Sequence, residues 1–216
     1  MDKPNSAEII NAQERASKEG LFPVMEHFYT IQGEGVFAGS AAYFIRLAGC
    51  DVGCVWCDVK ESWPAEGFPL VSAIEMLQWV KNAGANLLVI TGGEPALYDL
   101  NSITLLMREH GIRVHIETSG AYKLQGRFDW ITVSPKKFKA PLTEVVSQAH
   151  ELKVVVFNKS DFDWAETWIL QSNEAIALLQ PEWDKRETVT PLIIDYVKSH
   201  PRWRISLQTH KIIDVP

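Results

Sequence analysis

Ala41-Ala-Tyr-Phe-Ile-Arg-Leu47-Ala-Gly-Cys50-Asp-Val-Gly-Cys54-Val-Trp-Cys57 joins an apolar, strand-like run to three cysteines within eight residues. These are all the cysteines of the 216-residue chain. A disulfide framework normally uses an even number, more widely spread, so the triplet reads as a metal site in a reducing compartment. Cysteine is a soft ligand that selects zinc or iron–sulfur. A four-iron cluster normally takes four thiolates. With three, one iron is left open to a non-protein ligand, and an open position marks catalytic metal sites. Two plainer readings stand beside this one: three buried free thiols, or a structural Cys3His zinc knuckle drawing on His27, His110 or His115. Neither accounts for a triplet placed directly after a strand.

Working outward, strand-like and helical segments alternate. Ala41–Leu47 is the first clear strand. A helix is expected over 72–83, where Ser72 and Glu75 have capping-box spacing, Gly84 supplies the stop, and Ile74, Leu77 and Val80 form an apolar face. The run 87–90 is continuously apolar, as in buried parallel strands. A second helix follows over 100–110, stopped by Gly111. Further strands are expected at 113–116, 130–133, 152–156, 176–179 and 204–208, with helices near 143–150, 162–171 and 191–199. This alternation predicts an α/β fold with a parallel sheet and right-handed crossovers. About six units are present, fewer than the eight of a closed barrel, so the expected architecture is a partial, open (β/α) barrel. Residues 1–24 are polar and end at a Gly20/Pro23 break; they read as an appended arm on a single domain spanning 25–216.

Unusual polar or glycine-rich segments each follow a strand end. They are Gly49-Cys50, Thr91-Gly-Gly-Glu-Pro95, Glu117-Thr-Ser-Gly120, Ser134-Pro-Lys136, Asn158-Lys159, Gln180-Pro-Glu182 and Gln208-Thr-His-Lys211. In parallel α/β folds the carboxyl ends of the strands share one face, where ligands bind. Seven such loops therefore predict one active site, with Asn158-Lys159 read as a turn without a role.

The formal charge of −6 argues against a basic nucleic-acid footprint. No apolar run approaches the ~20 residues of a membrane span, and the N-terminus lacks the apolar region of a secretory signal. A cytoplasmic enzyme acting on neither nucleic acid nor membrane is expected.

The triplet resembles the cluster motif of radical S-adenosylmethionine (SAM) enzymes, and Thr91–Pro95 is similar to that superfamily's GGEP segment. The resemblance implies a [4Fe-4S] cluster on Cys50, Cys54 and Cys57, with SAM on the open iron. It further implies an external electron donor and cleavage of SAM to a radical that takes hydrogen from substrate. Tyr29-Thr-Ile-Gln-Gly-Glu-Gly35, Phe44-Ile-Arg-Leu-Ala-Gly-Cys50 and Cys57-Asp58, together with the strand-end motifs at 91–95, 117–120, 134–136 and 208–211, narrow this further. In that order they resemble the 7-carboxy-7-deazaguanine synthase family from about Met25 to Pro216. Members are carbon–nitrogen lyases of queuosine-type biosynthesis. They contract 6-carboxy-5,6,7,8-tetrahydropterin to 7-carboxy-7-deazaguanine with loss of ammonia, and regenerate SAM.

By this resemblance Ile31, Gln32, Gly33, Glu34, Arg46, Thr91, His210 and Pro216 meet the substrate. Glu34 would accept from pterin N–H groups, Arg46 would fork onto the carboxylate, and a terminal proline's carboxylate would reach the substrate. SAM is placed near Trp56, Cys57, Asp58, Gly93, Ser134, Pro135, Lys136, Gln180, Pro181, Glu182 and Trp183. The family also implies a homodimer and Mg²⁺. Its usual hydroxyl ligand after Cys-Asp is here Val59, which cannot coordinate a hard cation, so Mg²⁺ is expected without a side chain at that position. A glycyl-radical activating enzyme shares the cysteine motif but lacks the Gln-Gly-Glu-Gly and Gln-Thr-His-Lys pair. A non-enzymatic iron–sulfur or zinc protein would need no such ring of loops.

Overall fold

The computed structural model describes residues 6–216. Helix α1 (Ser6–Glu19) leads into strand β1 (Leu21–Ile31), followed by β2 (Ala41–Leu47) and β3 (Leu70–Ser72). Then come α2 (Ala73–Asn82), β4 (Leu87–Gly92), α3 (Asn101–Glu109), β5 (Arg113–Thr118), β6 (Trp130–Val133), α4 (Thr143–Val146) and β7 (Glu151–Val156). The chain finishes with α5 (Ser160–Ile169), β8 (Ile176–Pro181), α6 (Arg186–Ser199), β9 (Trp203–Ile205) and α7 (Thr209–Ile213). The strands form one sheet in the order β3-β1-β2-β4-β5-β6-β7-β8-β9. From β2 to β9 every pairing is parallel, whereas β1 runs antiparallel to both neighbours. Because β3 and β9 end the sheet and do not pair, the barrel is open, as the alternation predicts. Among the described residues no helix is long and apolar enough to cross a membrane.

Side-chain alternation sorts the sheet's apolar residues between two faces. Tyr43, Ile45, Leu47, Leu88, Ile90, Val114, Ile116, Leu152, Val154 and Val156 join the main core under the helices. Ala42, Phe44, Leu87 and Val89 turn the other way and pack with Phe28 inside the barrel. Residues of that inner set nearest the carboxyl ends border the site described below.

The expected boundary at residue 24 falls inside β1. Phe22 and Val24 are buried, and Ile9, Ala12 and Ala16 of α1 join the main core. The described part of the supposed arm is thus packed into the same unit as the barrel. Pro23 looks like a break because proline cannot donate a ladder hydrogen bond. Here it stands where β1 changes partner, pairing with Leu70 of β3 while Val24 pairs with Leu47 of β2. In α2, Ser72 accepts from the Glu75 amide as expected. Its buried face, however, is Ala73, Met76, Leu77 and Val80; Ile74 is exposed. Strand β9 is shorter than expected, stopping at Ile205, so that Gln208 is free to start α7.

Candidate active site

A cavity of about 270 Å³ opens at the carboxyl ends of the strands. Its wall includes Cys50, Cys54 and Cys57 on one side and Ile31, Gln32, Gly33, Glu34 and Arg46 on another. Thr91, Gly93, Ser134, Lys136, Gln180, Pro181, Glu182, Trp183, His210 and Pro216 complete it, with Trp56, Asp58 and Val59 beside the cysteines. Of the expected site residues only Pro135 lies off this wall; its carbonyl accepts from the Trp164 indole at 3.3 Å. Asn158 and Lys159 are also absent from it. The Asn158 side chain caps the Ser160 amide, so this loop is a turn at the start of α5.

The cysteine loop is held by its backbone. The Gly49 and Cys50 amides donate to the carbonyls of Ser62 and Trp63, and the Cys57 amide to that of Cys54. Val52 and Trp63 pack with the cysteines, and Trp56 borders them. None of the three cysteines forms a disulfide. Burial, with a smaller contribution from charge on Glu94, Cys54 and Cys57, pushes the Cys50 thiol up to about 12. Three thiolates so placed need a compensating cation. Among the described residues no three His, Cys, Asp or Glu side chains converge on a point where one ion could be held. A zinc site takes its ligands on one ion, whereas a cubane takes each thiolate on a different iron. His27, His110 and His115, the possible fourth zinc ligands, are all off the cavity wall. At Gly93 an added Cβ would run into the Gly49 carbonyl and Cys50. Glycine there lets β4's loop lie directly against the cysteine loop. The donor set and its packing fit an iron–sulfur cluster.

Opposite the cysteines, the loop after β1 is tied down from several sides. Gly33's carbonyl accepts from both the amide and the hydroxyl of Thr209, and a Cβ at Gly33 would overlap the His210 ring. Below it, Glu151 accepts from the Val36 amide at 2.9 Å and fills the space a Cβ on Gly35 would need. Gln32 donates to Glu117 at 2.8 Å, and Gln208 donates to Glu34 at 2.8 Å. Lys153 contacts both carboxylates: it donates to Glu34, and to Glu117 at 3.0 Å. Burial opposes charge on Glu34, but Lys153 and the neighbouring amides outweigh it and hold this carboxyl well below the usual range. Asp58 is likewise lowered, because its pair with Lys211 at 2.8 Å outweighs burial.

Arg46 makes an ion pair and also reaches the cavity. Its Nε pairs with Glu26 at 2.6 Å, while the side chain borders the cavity. It stands in register with Thr91 on β4. Burial lowers the pKa of Lys136, whose Nζ lies 2.5 Å from the Ser134 hydroxyl and 5.1 Å from the Trp56 ring centre. Burial also lowers that of His210, favouring a neutral imidazole that can both donate and accept.

Glu117, Lys153 and Gln208 also border the cavity but were not among the expected site residues. Lys153 had a signal: a lysine inside the apolar run Leu152-Lys-Val-Val-Val156 must find buried partners.

The Radical SAM superfamily model matches residues 44–141. A 7-carboxy-7-deazaguanine synthase of Flavobacterium psychrophilum is 51% identical over 202 residues, covering 92% of this chain and 95% of the relative. One from Synechocystis sp. is 46% identical, with 90% and 93% covered. One from Escherichia coli is 34% identical, with 90% and 99% covered. The crystal structure of QueE from Escherichia coli superposes with a TM-score of 0.78 at 31% identity, covering 94% of this chain and 99% of that one.

Proposed function

The chain belongs to the 7-carboxy-7-deazaguanine synthase family of radical SAM enzymes, and from that premise we propose that it converts 6-carboxy-5,6,7,8-tetrahydropterin to 7-carboxy-7-deazaguanine with release of ammonia. This makes it a carbon–nitrogen lyase on the queuosine route. One observation carries the reading: three cysteines and the carboxylate-bearing residues Glu34, Asp58 and Glu117 line a single cavity. When bound, the cluster and SAM supply a carbon-centred radical that abstracts hydrogen from the substrate, after reduction by an external electron donor.

The chain's own residues bind and orient. On the cluster side, Trp56, Asp58, Gly93, Ser134, Lys136 and the segment 180–183 hold SAM. Lys136, half-buried and cationic, suits a carboxylate. On the other side, Ile31, Gln32, Gly33, Thr91, His210 and Pro216 frame the pterin. Ionised Glu34 accepts from its N–H groups, and neutral His210 adds a hydrogen bond without a competing charge. Arg46, with Nε committed to Glu26, presents its terminal nitrogens to the pterin carboxylate. Replacing it, Arg46→Ala, removes a charge-assisted fork of ~1.5–3 kcal/mol. Steady-state kinetics should then give a KM for the pterin raised ~10- to 100-fold, with SAM cleavage in the absence of pterin unchanged. An unaltered KM would remove Arg46 from the substrate site.

Mg²⁺ is proposed to act through substrate oxygens and water, since Val59 borders the cavity with no donor atom. Chelation followed by Mg²⁺ titration is expected to change activity less in this chain than in a Val59→Thr variant; equal responses would reject that. The function itself is tested by anaerobic cluster reconstitution and incubation with SAM, reductant and carboxytetrahydropterin. 7-Carboxy-7-deazaguanine is the expected product. 5′-Deoxyadenosine formed without it would keep the superfamily and reject the substrate.

A further inference from the structure

We propose that Lys153 is a positioning residue for the substrate, aiming Glu34 and Glu117 as a matched pair of acceptors for the N–H edge of the pterin. The inference rests on the substrate reading above and extends it to a residue that makes no assigned contact of its own.

Strand β7 is the origin of the device. Leu152, Val154 and Val156 face the helices, so Glu151, Lys153 and Val155 face the barrel interior. Each inward position has a different task. Glu151, the deepest, accepts from the Val36 amide and the Thr132 hydroxyl, and so anchors the loop carrying Glu34. Val155 is plain cavity wall. Lys153 lies between them with its side chain only 4% exposed, in contact with carboxylates from two separate elements, Glu34 of the loop after β1 and Glu117 of β5.

The arrangement is costly unless it serves something. A purely structural buried pair needs one acid for one base. Here one ammonium serves two carboxylates. Each carboxylate also takes a side-chain amide, Gln208 on Glu34 and Gln32 on Glu117. A carboxylate can accept about four hydrogen bonds, so each keeps acceptor capacity while bordering the cavity. The surplus negative charge and free lone pairs suit a neutral ligand that presents several N–H donors along one edge. A 2-amino-4-oxo pyrimidine ring is such a ligand. Without Lys153, the Glu34 and Glu117 carboxylates would have no cation between them, and a proton shared by the pair would turn an acceptor into a donor. The other charged or titratable groups around them are Glu151 below, Lys136 from the loop after β6, and Asp58, His210 and Lys211 near Glu34. Asp58 is already paired with Lys211. None of these replaces the direct contact of Lys153 with both acids.

The test is equilibrium binding of 6-carboxypterin, an oxidised analogue unable to undergo the reaction, to cluster-loaded, SAM-saturated protein under anaerobic conditions. Wild-type affinity should be flat between about pH 5.5 and 7.5, because Lys153 holds the Glu34 carboxyl well below that range. Lys153→Met should weaken binding ~10- to 100-fold at the acid end. Its affinity should then rise with pH, as the shared proton leaves. SAM affinity, measured on the same samples, should stay within about twofold of wild type. Lys153→Arg keeps the charge and should restore the flat profile. If Lys153→Met does not fold, the double variant Lys153→Met with Glu117→Gln removes one charge of each sign; it should bind the pterin at least about tenfold more weakly, with no pH dependence. Wild-type-like pterin affinity in Lys153→Met or the double variant overturns the inference, as does an equal loss of SAM binding. Wild-type protein that binds SAM but no pterin would instead overturn the substrate reading, and this inference with it.

Discussion

Cys57→Ala is expected to yield a folded chain that assembles no cluster and cleaves no SAM. The two halves of that result have separate physical causes. Cys57 is the least buried of the three thiols and lies outside the main core. Its local backbone link, the amide to the Cys54 carbonyl, does not involve the sulfur. Losing one sulfur there costs the apo fold under ~1 kcal/mol, as for other substitutions away from cores, caps and buried polar groups. The cluster, by contrast, has no spare protein ligand. The chain contains no fourth cysteine. Two thiolates cannot hold three irons, so iron and sulfide content and visible absorbance should fall to background after reconstitution. Turnover should drop at least ~10³-fold, since the whole chemical step depends on the missing group. Circular dichroism and the melting curve of unreconstituted protein should match wild type. Full iron content with intact 5′-deoxyadenosine formation would sink the assignment of this triplet as the cluster site.

Which features were legible in the sequence follows from how local their causes are. The cysteine spacing, the Gly92-Gly93 pair and the strand-end motifs are each dictated within a few residues, by ligand chemistry or by close backbone approach. All but Asn158-Lys159 contribute to one cavity. Strand β1 was hidden because its cause is tertiary: Pro23 is tolerated only because the strand changes partner there. Helix α1 reads as polar, since three small or apolar residues at helical spacing, Ile9, Ala12 and Ala16, suffice to dock it. Ile74 satisfies a helical period, yet Met76 occupies the buried face in its place. Glu117 and Lys153 sit on strands, and nothing local says that they meet through Glu34's loop. Pro135 falls within a matching motif, and a motif gives sequence neighbours no information about which way each backbone group points.

The largest effect on stability is expected from a residue whose motif suggested ligand contact and whose surroundings suggest architecture. Glu94 is 1% exposed. One carboxylate oxygen accepts from the Ala96 amide at 3.0 Å and the Thr118 hydroxyl at 2.5 Å. The other accepts from the Ser119 amide at 2.8 Å and from the Ser119 hydroxyl. Its backbone amide meanwhile donates to the Gly49 carbonyl in the cysteine loop. A single side chain thus ties the loop after β4 to the loop after β5, while its backbone ties both to the cysteines. Glu94→Ala leaves four donors without their acceptor in a site closed to water. Each unsatisfied buried group costs ~1–3 kcal/mol, and partial relaxation brings the sum to ~3–5 kcal/mol. For a chain of this size that lowers the melting temperature of cluster-loaded protein by ~6–20 °C. Glu94→Gln keeps the volume but replaces one acceptor oxygen with a donor facing other donors, so it should fall between the two. Because Gly93 lies against Gly49 and Cys50, the loosened loop should weaken SAM binding in step with stability across the series. A Glu94→Ala protein that melts within ~2 °C of wild type would show that these hydrogen bonds do not hold the three loops together. Wild-type stability combined with lost SAM affinity would instead make Glu94 a ligand-contacting group.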